Sequence, residues 1–190
     1  MPRDSFQQSK DSVLSRKDKS SIGEWDKKVK SLCDKINFLD DFYTTSSCSG
    51  RVVLMIEQDK KDHDLFFKMS HDLISFEWIK NSLKEILDKN KNQFIKFKLE
   101  QPIFHIACRN IESAEKLLDK ALHIGFKRSG IINLGKKVIV ELNSTEKLEF
   151  PIILDGKVLV GDDFIELIVK ISNEKLKKGW MKIQKLEKLL

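Results

Sequence analysis

Cysteine is scarce in this chain and poorly placed for bridging. Cys33, Cys48 and Cys108 are odd in number, and no two stand at a CxxC spacing. That argues against a disulfide framework and against a structural zinc site, and it points to a reducing, cytoplasmic setting. Long apolar runs are missing too. None approaches the roughly 18 residues of a membrane span, and the N-terminus lacks the apolar core of a signal peptide, so a soluble protein with no membrane partner is expected. Glycine-based cofactor motifs are absent: there is no Walker loop and no GxGxxG after a strand, and HExxH and GxSxG are also lacking. A common Rossmann cofactor site is therefore unsupported, and no metal is expected.

What remains is a globular composition. Of 190 residues, 41% are hydrophobic and 34% charged, and the formal net charge is +6. A chain of this length buries roughly 70% of its unfolded surface without staples. We expect one compact domain over residues 1–190, with room for two lobes. The basic excess permits nucleic-acid binding without demanding it.

Periodicity supplies the elements. Phe6, Val13 and Leu14 anchor a first amphipathic helix that ends near Arg16 to Lys19, and Trp25, Val29, Leu32, Cys33 and Ile36 mark a second over Glu24 to Phe38. Phe42 to Thr45 reads as extended and Ser46 to Gly50 as a small-residue turn. Arg51 to Glu57 and Leu65 to Met69 read as strands joined by a charged tip, Gln58 to Asp64. Ser75 is placed to cap a helix running to about Asp88, and Phe94 to Leu99 alternates as a strand. After Pro102 come a strand (Ile103 to Cys108), a helix (Ile111 to Ile124) with Gly125 as its stop, and a hairpin of Phe126 to Asn133 with Lys136 to Asn143 around Gly135. A second hairpin follows around Asp155-Gly156, and a last helix starts at Asp162 and runs past Gly179. The pattern predicts an α+β fold, non-Rossmann, with a mixed sheet of hairpins flanked by helices.

The run Tyr43 to Arg51, YTTSSCSGR, is too polar for a core strand. Small residues there can aim backbone N–H groups at one point as an anion-binding nest. Arg51 adds a planar fork for a carboxylate or phosphate. Thr45, Ser46, Ser47, Ser49 and Gly50 are the candidate binding residues of this run. A hairpin should bring Lys68 and His71 near Arg51, with His71 as a general base or a substrate ligand. His105 interrupts an apolar strand, either as a satisfied core histidine or as a site residue. Asp26, at a helix start, is either a cap or a second candidate base. Ser129 and Gly130 follow a helix stop and offer a hydroxyl and a backbone N–H. Trp25 and Trp78 have core positions but are the right size to stack on a base.

Taken in order, the segments Gly23-x-x-Asp26, TTSSCSGR, Lys68-x-Ser70-His71, Pro102 with His105, and the GFKRSG run from Gly125 to Gly130 resemble the tRNA wybutosine-synthesising protein 3 family, in its short archaeal-type form. The resemblance covers roughly residues 5 to 143. It implies a methyltransferase that uses S-adenosylmethionine to methylate nitrogen-4 of the demethylated tricyclic wybutosine precursor, built on the guanosine 3′ of the anticodon in tRNA-Phe. It also implies a fold unlike the Rossmann methyltransferases and a partner in the tRNA-Phe anticodon arm. Asp26, His71 and Arg51 are the candidate catalytic residues. The alternative is a non-catalytic RNA-binding module assisting tRNA modification; a third possibility is an enzyme that takes a small acidic metabolite.

Overall fold

A computed structural model describes residues 4–16, 26–57, 65–89, 94–135 and 137–190. The expectations for Gly23, Trp25, the Gln58 to Asp64 tip and the end of the first helix beyond Arg16 lie outside the described residues. The chain divides into two compact units: residues 1–49, 102–145 and 180–190 form the first, and residues 50–101 and 146–179 the second.

The first unit contains α1 (Ser5–Leu14), α2 (Lys27–Phe38), β1 (Phe42–Cys48), β5 (Ile103–Cys108), α4 (Ile111–Ile124), β6 (Gly130–Asn133), β7 (Val138–Asn143) and the end of α5 (Asp162–Leu189). Its sheet has the order β1-β5-β7-β6. Side chains alternate across a strand, so Phe104, Ile106 and Cys108 of β5 point to one face with Val140 and Leu142 of β7. There they meet Val29, Leu32, Cys33 and Ile36 of α2, Leu117 and Ala121 of α4, and Ile183 and Leu186 of α5 in one buried cluster. The other face carries His105 and Glu141, which sit directly opposite each other in the β5–β7 ladder.

The second unit holds β2 (Arg51–Ile56), β3 (Phe66–Ser70), α3 (Phe76–Lys89), β4 (Ile95–Glu100), β8 (Leu148–Leu154), β9 (Lys157–Val158) and most of α5, with sheet order β3-β2-β4-β8-β9. One face is apolar: Phe97 stacks on Phe150 at 5.0 Å, and Phe164 of α5 meets Phe150 edge-on at 5.4 Å. The opposite face carries a ladder of charge. Lys96 bridges Glu57 at 2.7 Å and Glu149 at 3.5 Å, and Lys98 reaches Glu149 at 3.4 Å. Pro151 occupies an interior strand at a register irregularity opposite Lys96, where a missing N–H is tolerated.

The α+β class is as expected. Among the described residues every strand pair is antiparallel, so the sheet expected to be mixed is two antiparallel sheets. Ser75 Oγ accepts the Trp78 N–H at 3.1 Å, as its capping position predicts. Ser46 to Gly50 departs from expectation: β1 continues through Cys48, paired to β5, and only Ser49 and Gly50 lie outside the strands. The polar composition reflects an edge strand, which does not need apolar side chains on both faces.

Gly125 closes α4 at φ 109°, and an added Cβ would sit 3.0 Å from Lys182 Cε. At Gly130 the backbone is ordinary and a Cβ would meet no heavy atom within 4 Å. Gly125→Ala is therefore expected to cost about 1–2 kcal/mol in left-handed strain, while Gly130→Ala leaves stability unchanged or slightly raised. Paired urea denaturation curves check this; equal midpoints for the two variants would contradict it.

Candidate active site

The open face of the first sheet carries a hydrogen-bonded row. β1 and β5 pair residue for residue from Phe42 to Thr44, and then the register shifts, so that Ser46 rather than Thr45 stands opposite His105. The extra residue is a β-bulge, a device that re-aims side chains. Thr45 Oγ1 donates to the His105 carbonyl at 3.2 Å. Ser46 Oγ lies 2.9 Å from His105 Nδ1, and His105 Nε2 lies 2.8 Å from Glu141 Oε2. Asn143 Nδ2 donates to the other Glu141 oxygen at 3.2 Å.

The hydrogen bond from His105 holds the Glu141 carboxyl below the usual carboxylate range, against the opposing effect of burial and with help from Asn143. Glu141 is therefore ionised at neutral pH and can only accept. The stabilisation it gives is present above the ordinary carboxyl value and is lost as acid titrates the folded group. His105 Nε2 then carries the ring proton, and the lone pair of a neutral ring is on Nδ1, facing the Ser46 hydroxyl. His105 and Glu141 are 32% and 26% exposed, and Ser46 is exposed, so the row is accessible to a ligand.

The remaining hydroxyls of the run are divided. Thr44 is buried and donates from Oγ1 to Asn37 Oδ1 at 3.1 Å. Ser47 pairs with Phe104 and so points to the core side of the sheet. Residues in a paired strand send successive N–H groups in opposite directions, so Ser46 to Cys48 do not form the expected nest. The Ser49 N–H instead donates to Asp26 Oδ2 at 3.0 Å, and Asp26 Oδ1 accepts from the Lys28 N–H as the cap of α2. Gly50 follows at φ 91°, which glycine adopts freely.

Ser129 uses its hydroxyl proton on the Phe126 carbonyl at 2.8 Å and accepts the Asn143 N–H at 3.0 Å, which fixes the turn into β6. Gly130 pairs with Glu141 in the β6–β7 ladder and leaves open space where a side chain would stand.

In the second unit, Arg51 Nε bonds Glu100 Oε2 at 2.6 Å, its Nη1 approaches Met69 Sδ at 3.0 Å, and its guanidinium lies 5.0 Å from the Phe66 ring centre. A register shift in the β2–β3 ladder puts both Phe66 and Met69 on the Arg51 face. Lys68 pairs with Leu54, on the opposite face, where it bonds Glu85 at 2.7 Å. That bond, with a second from Lys89, holds the half-buried Glu85 carboxyl down to about 2. The expectation that the hairpin gathers Lys68 beside Arg51 is thus corrected by strand alternation. His71 lies just past β3, half-buried.

Sequence reasoning did not single out Glu141, Asn143 or Glu100. Glu141 and Asn143 are two apart at the end of a predicted strand, so a shared face was readable; the register that sets Glu141 opposite His105 was not.

The thiols differ in reactivity. Burial pushes the Cys108 thiol up to about 12, and Cys33 is fully buried, whereas Cys48 is half-buried. Native alkylation at pH 8 is expected to label at most one cysteine quickly, Cys48, with all three reacting in denaturant. Peptide mapping that finds fast native labelling at Cys108 would contradict this.

Residues 7–190 match the family described as methyltransferase TYW3. The tRNA(Phe) 7-((3-amino-3-carboxypropyl)-4-demethylwyosine(37)-N(4))-methyltransferase of Methanocaldococcus jannaschii is 40% identical over 158 residues, covering 81% of this chain and 80% of that one. The tRNA wybutosine-synthesizing protein 3 homolog of Danio rerio is 30% identical over 197 residues, covering 100% of this chain and 76% of its own. Among solved structures, the PH1069 protein from Pyrococcus horikoshii superposes with a TM-score of 0.85 at 30% identity, over 96% of this chain and 92% of that one. A hypothetical protein from Aeropyrum pernix shares the fold, with a TM-score of 0.74 at 23% identity, over 86% of this chain and 96% of its own. The match runs from within the first helix to the last residue and takes in both β1 and the strands that carry His105 and Glu141, and the chain belongs to the methyltransferase TYW3 family.

Proposed function

We propose that this chain methylates nitrogen-4 of the demethylated tricyclic wybutosine precursor, at the guanosine 3′ of the anticodon in tRNA-Phe, with S-adenosylmethionine as donor. Family membership gives the methyl transfer; the named relatives act on that base in tRNA(Phe). The observation that carries the reading to particular residues is the row Ser46–His105–Glu141–Asn143 on an accessible sheet face.

The donor supplies an activated methyl group on a sulfonium. The residues suit such a guest. The space left by Gly130 beside Glu141 admits a flat group against bare backbone, and Asn143 and Glu141 offer acceptors for amine or hydroxyl hydrogens. The chain's own contribution is orientation, since holding two reactants at near-attack distance contributes roughly 7–11 kcal/mol. The lysine-rich surface supplies phosphate contacts along the anticodon arm that fall steeply with salt. Arg51 keeps the anion-binding role, with its fork aimed by Glu100 and Met69. Ser49 and Gly50 shape the backbone next to it, and Asp26 ties that backbone to α2. His71, Lys68 and Thr45 stay candidates for contacts to the RNA.

Two measurements test this. Turnover on tRNA-Phe bearing the demethylated tricycle is expected to exceed turnover on unmodified transcript by orders of magnitude; equal methylation of the two would sink the reading. Arg51→Lys is expected to lower activity at least tenfold on the modified tRNA with the thermal midpoint unchanged, because an ammonium cannot hold a planar two-point contact. Near-normal turnover in that variant would remove the anion-binding role.

A further inference from the structure

A ring nitrogen attacks a methyl group well only once its own hydrogen can leave. We infer that Ser46 takes that hydrogen and passes a proton to His105, with Glu141 stabilising the charge that results; this rests on the methylation of a tricyclic base proposed above. Ser46 Oγ is exposed and donates its own hydrogen to His105 Nδ1, 2.9 Å away, so its lone pairs face the ligand side as acceptors for an N–H. In the step, the substrate N–H bond breaks and an O–H bond forms at Ser46. The Ser46 O–H that faces His105 breaks and an N–H bond forms at Nδ1. The substrate nitrogen gains a bond to the methyl carbon, the donor's sulfur becomes neutral, and the positive charge it loses is matched by the imidazolium at His105.

The surroundings of His105 favour this direction. Glu141 of β7 holds Nε2–H at 2.8 Å and is itself held by Asn143. β1 contributes the uncharged hydroxyls of Thr45 and Ser46. β6 contributes Gly130 and Asn133, which are uncharged. The charged residues of α1, which packs on β1 through Phe6 and Tyr43, are committed elsewhere: Asp4 to Arg109, Lys10 to the Leu39 carbonyl and Asp11 to Gln7. A core histidine kept only for packing has no need of a carboxylate on one ring nitrogen and an exposed hydroxyl on the other. The bulge at Thr45 is what delivers that hydroxyl, since unbroken pairing would put Thr45 opposite His105.

Ser46 is the group that touches the reacting nitrogen; His105 and Glu141 act through it. The experiment uses the full chain, S-adenosylmethionine and tRNA-Phe bearing the demethylated tricycle, and follows single-turnover rate against pH. Ser46→Ala is expected to lower the plateau rate about 100-fold with KM within threefold, and Ser46→Thr to recover most of the loss. In Glu141→Gln the plateau rate is expected to fall about tenfold with KM within threefold, because the charge that steadies the imidazolium formed during the transfer is gone. Separately, nitrogen-15 spectra of the free protein are expected to show the neutral His105 ring protonated on Nε2. Ser46→Ala turnover within threefold of the parent, an unchanged plateau rate in Glu141→Gln, or a neutral ring protonated on Nδ1 would each overturn the relay. A wild-type chain that transfers no methyl to the tricycle sinks the substrate reading instead; the tautomer measurement needs neither RNA nor donor and still supports or overturns the relay geometry.

Discussion

The extra residue that β1 inserts at Thr45 determines which hydroxyl meets His105. Side-chain direction in a strand has period two, so a single insertion exchanges the faces of all that follows. Before the bulge, Thr44 points into the core and bonds Asn37. After it, Ser46 faces His105 and Ser47 faces Phe104. Without the insertion, Thr45 would be opposite His105 and Ser46 would turn toward α2. The second unit uses the same device for another purpose: the shift in the β2–β3 ladder brings Phe66 onto the face of Arg51, Val53 and Met69. In both units a one-residue irregularity decides the chemistry of a face while the apolar face keeps its alternation.

This explains how far the sequence could be read. Apolar positions carry their own period, so the helices around Ile36, Ile86 and Leu117 and the strands around Leu54 and Ile106 were visible, as was the Asp155-Gly156 turn with φ 48° and 72°. Capping signals at Ser75 and Gly125 were equally local. Which strands pair is not local. Nothing in β2 alone says that its neighbours are β3 and β4, and the break at Pro102 gave no sign that β4 and β5 enter different sheets. The polar run from Ser46 to Gly50 was read as a turn because small and hydroxyl residues are commoner there. An edge strand tolerates them because its outer side has no strand to pack against. Of the candidate site residues, Ser46 and His105 were chosen for their chemical type, whereas their contact depends on the bulge, and a bulge has no reliable signature in side-chain type. Glu141 went unnoticed because a lone carboxylate in an alternating strand looks like an ordinary solvent-facing residue.

The row across β1, β5 and β7 is half-exposed, and that limits what it can do alone. Two unit charges 4 Å apart gain about 1 kcal/mol in bulk water and about 4 kcal/mol at the effective dielectric of a protein surface. With water free to reach it, Glu141 therefore stabilises a protonated His105 only modestly. Under the proposed relay, a flat aromatic base laid over Ser46 and His105 changes those terms together: it displaces water from the row, lowers the local dielectric, and brings its own N–H to the hydroxyl that faces His105. In that arrangement the proton acceptor becomes effective only when a substrate covers it, so the contact that would favour a large flat face would also strengthen the base that the proposed reaction needs.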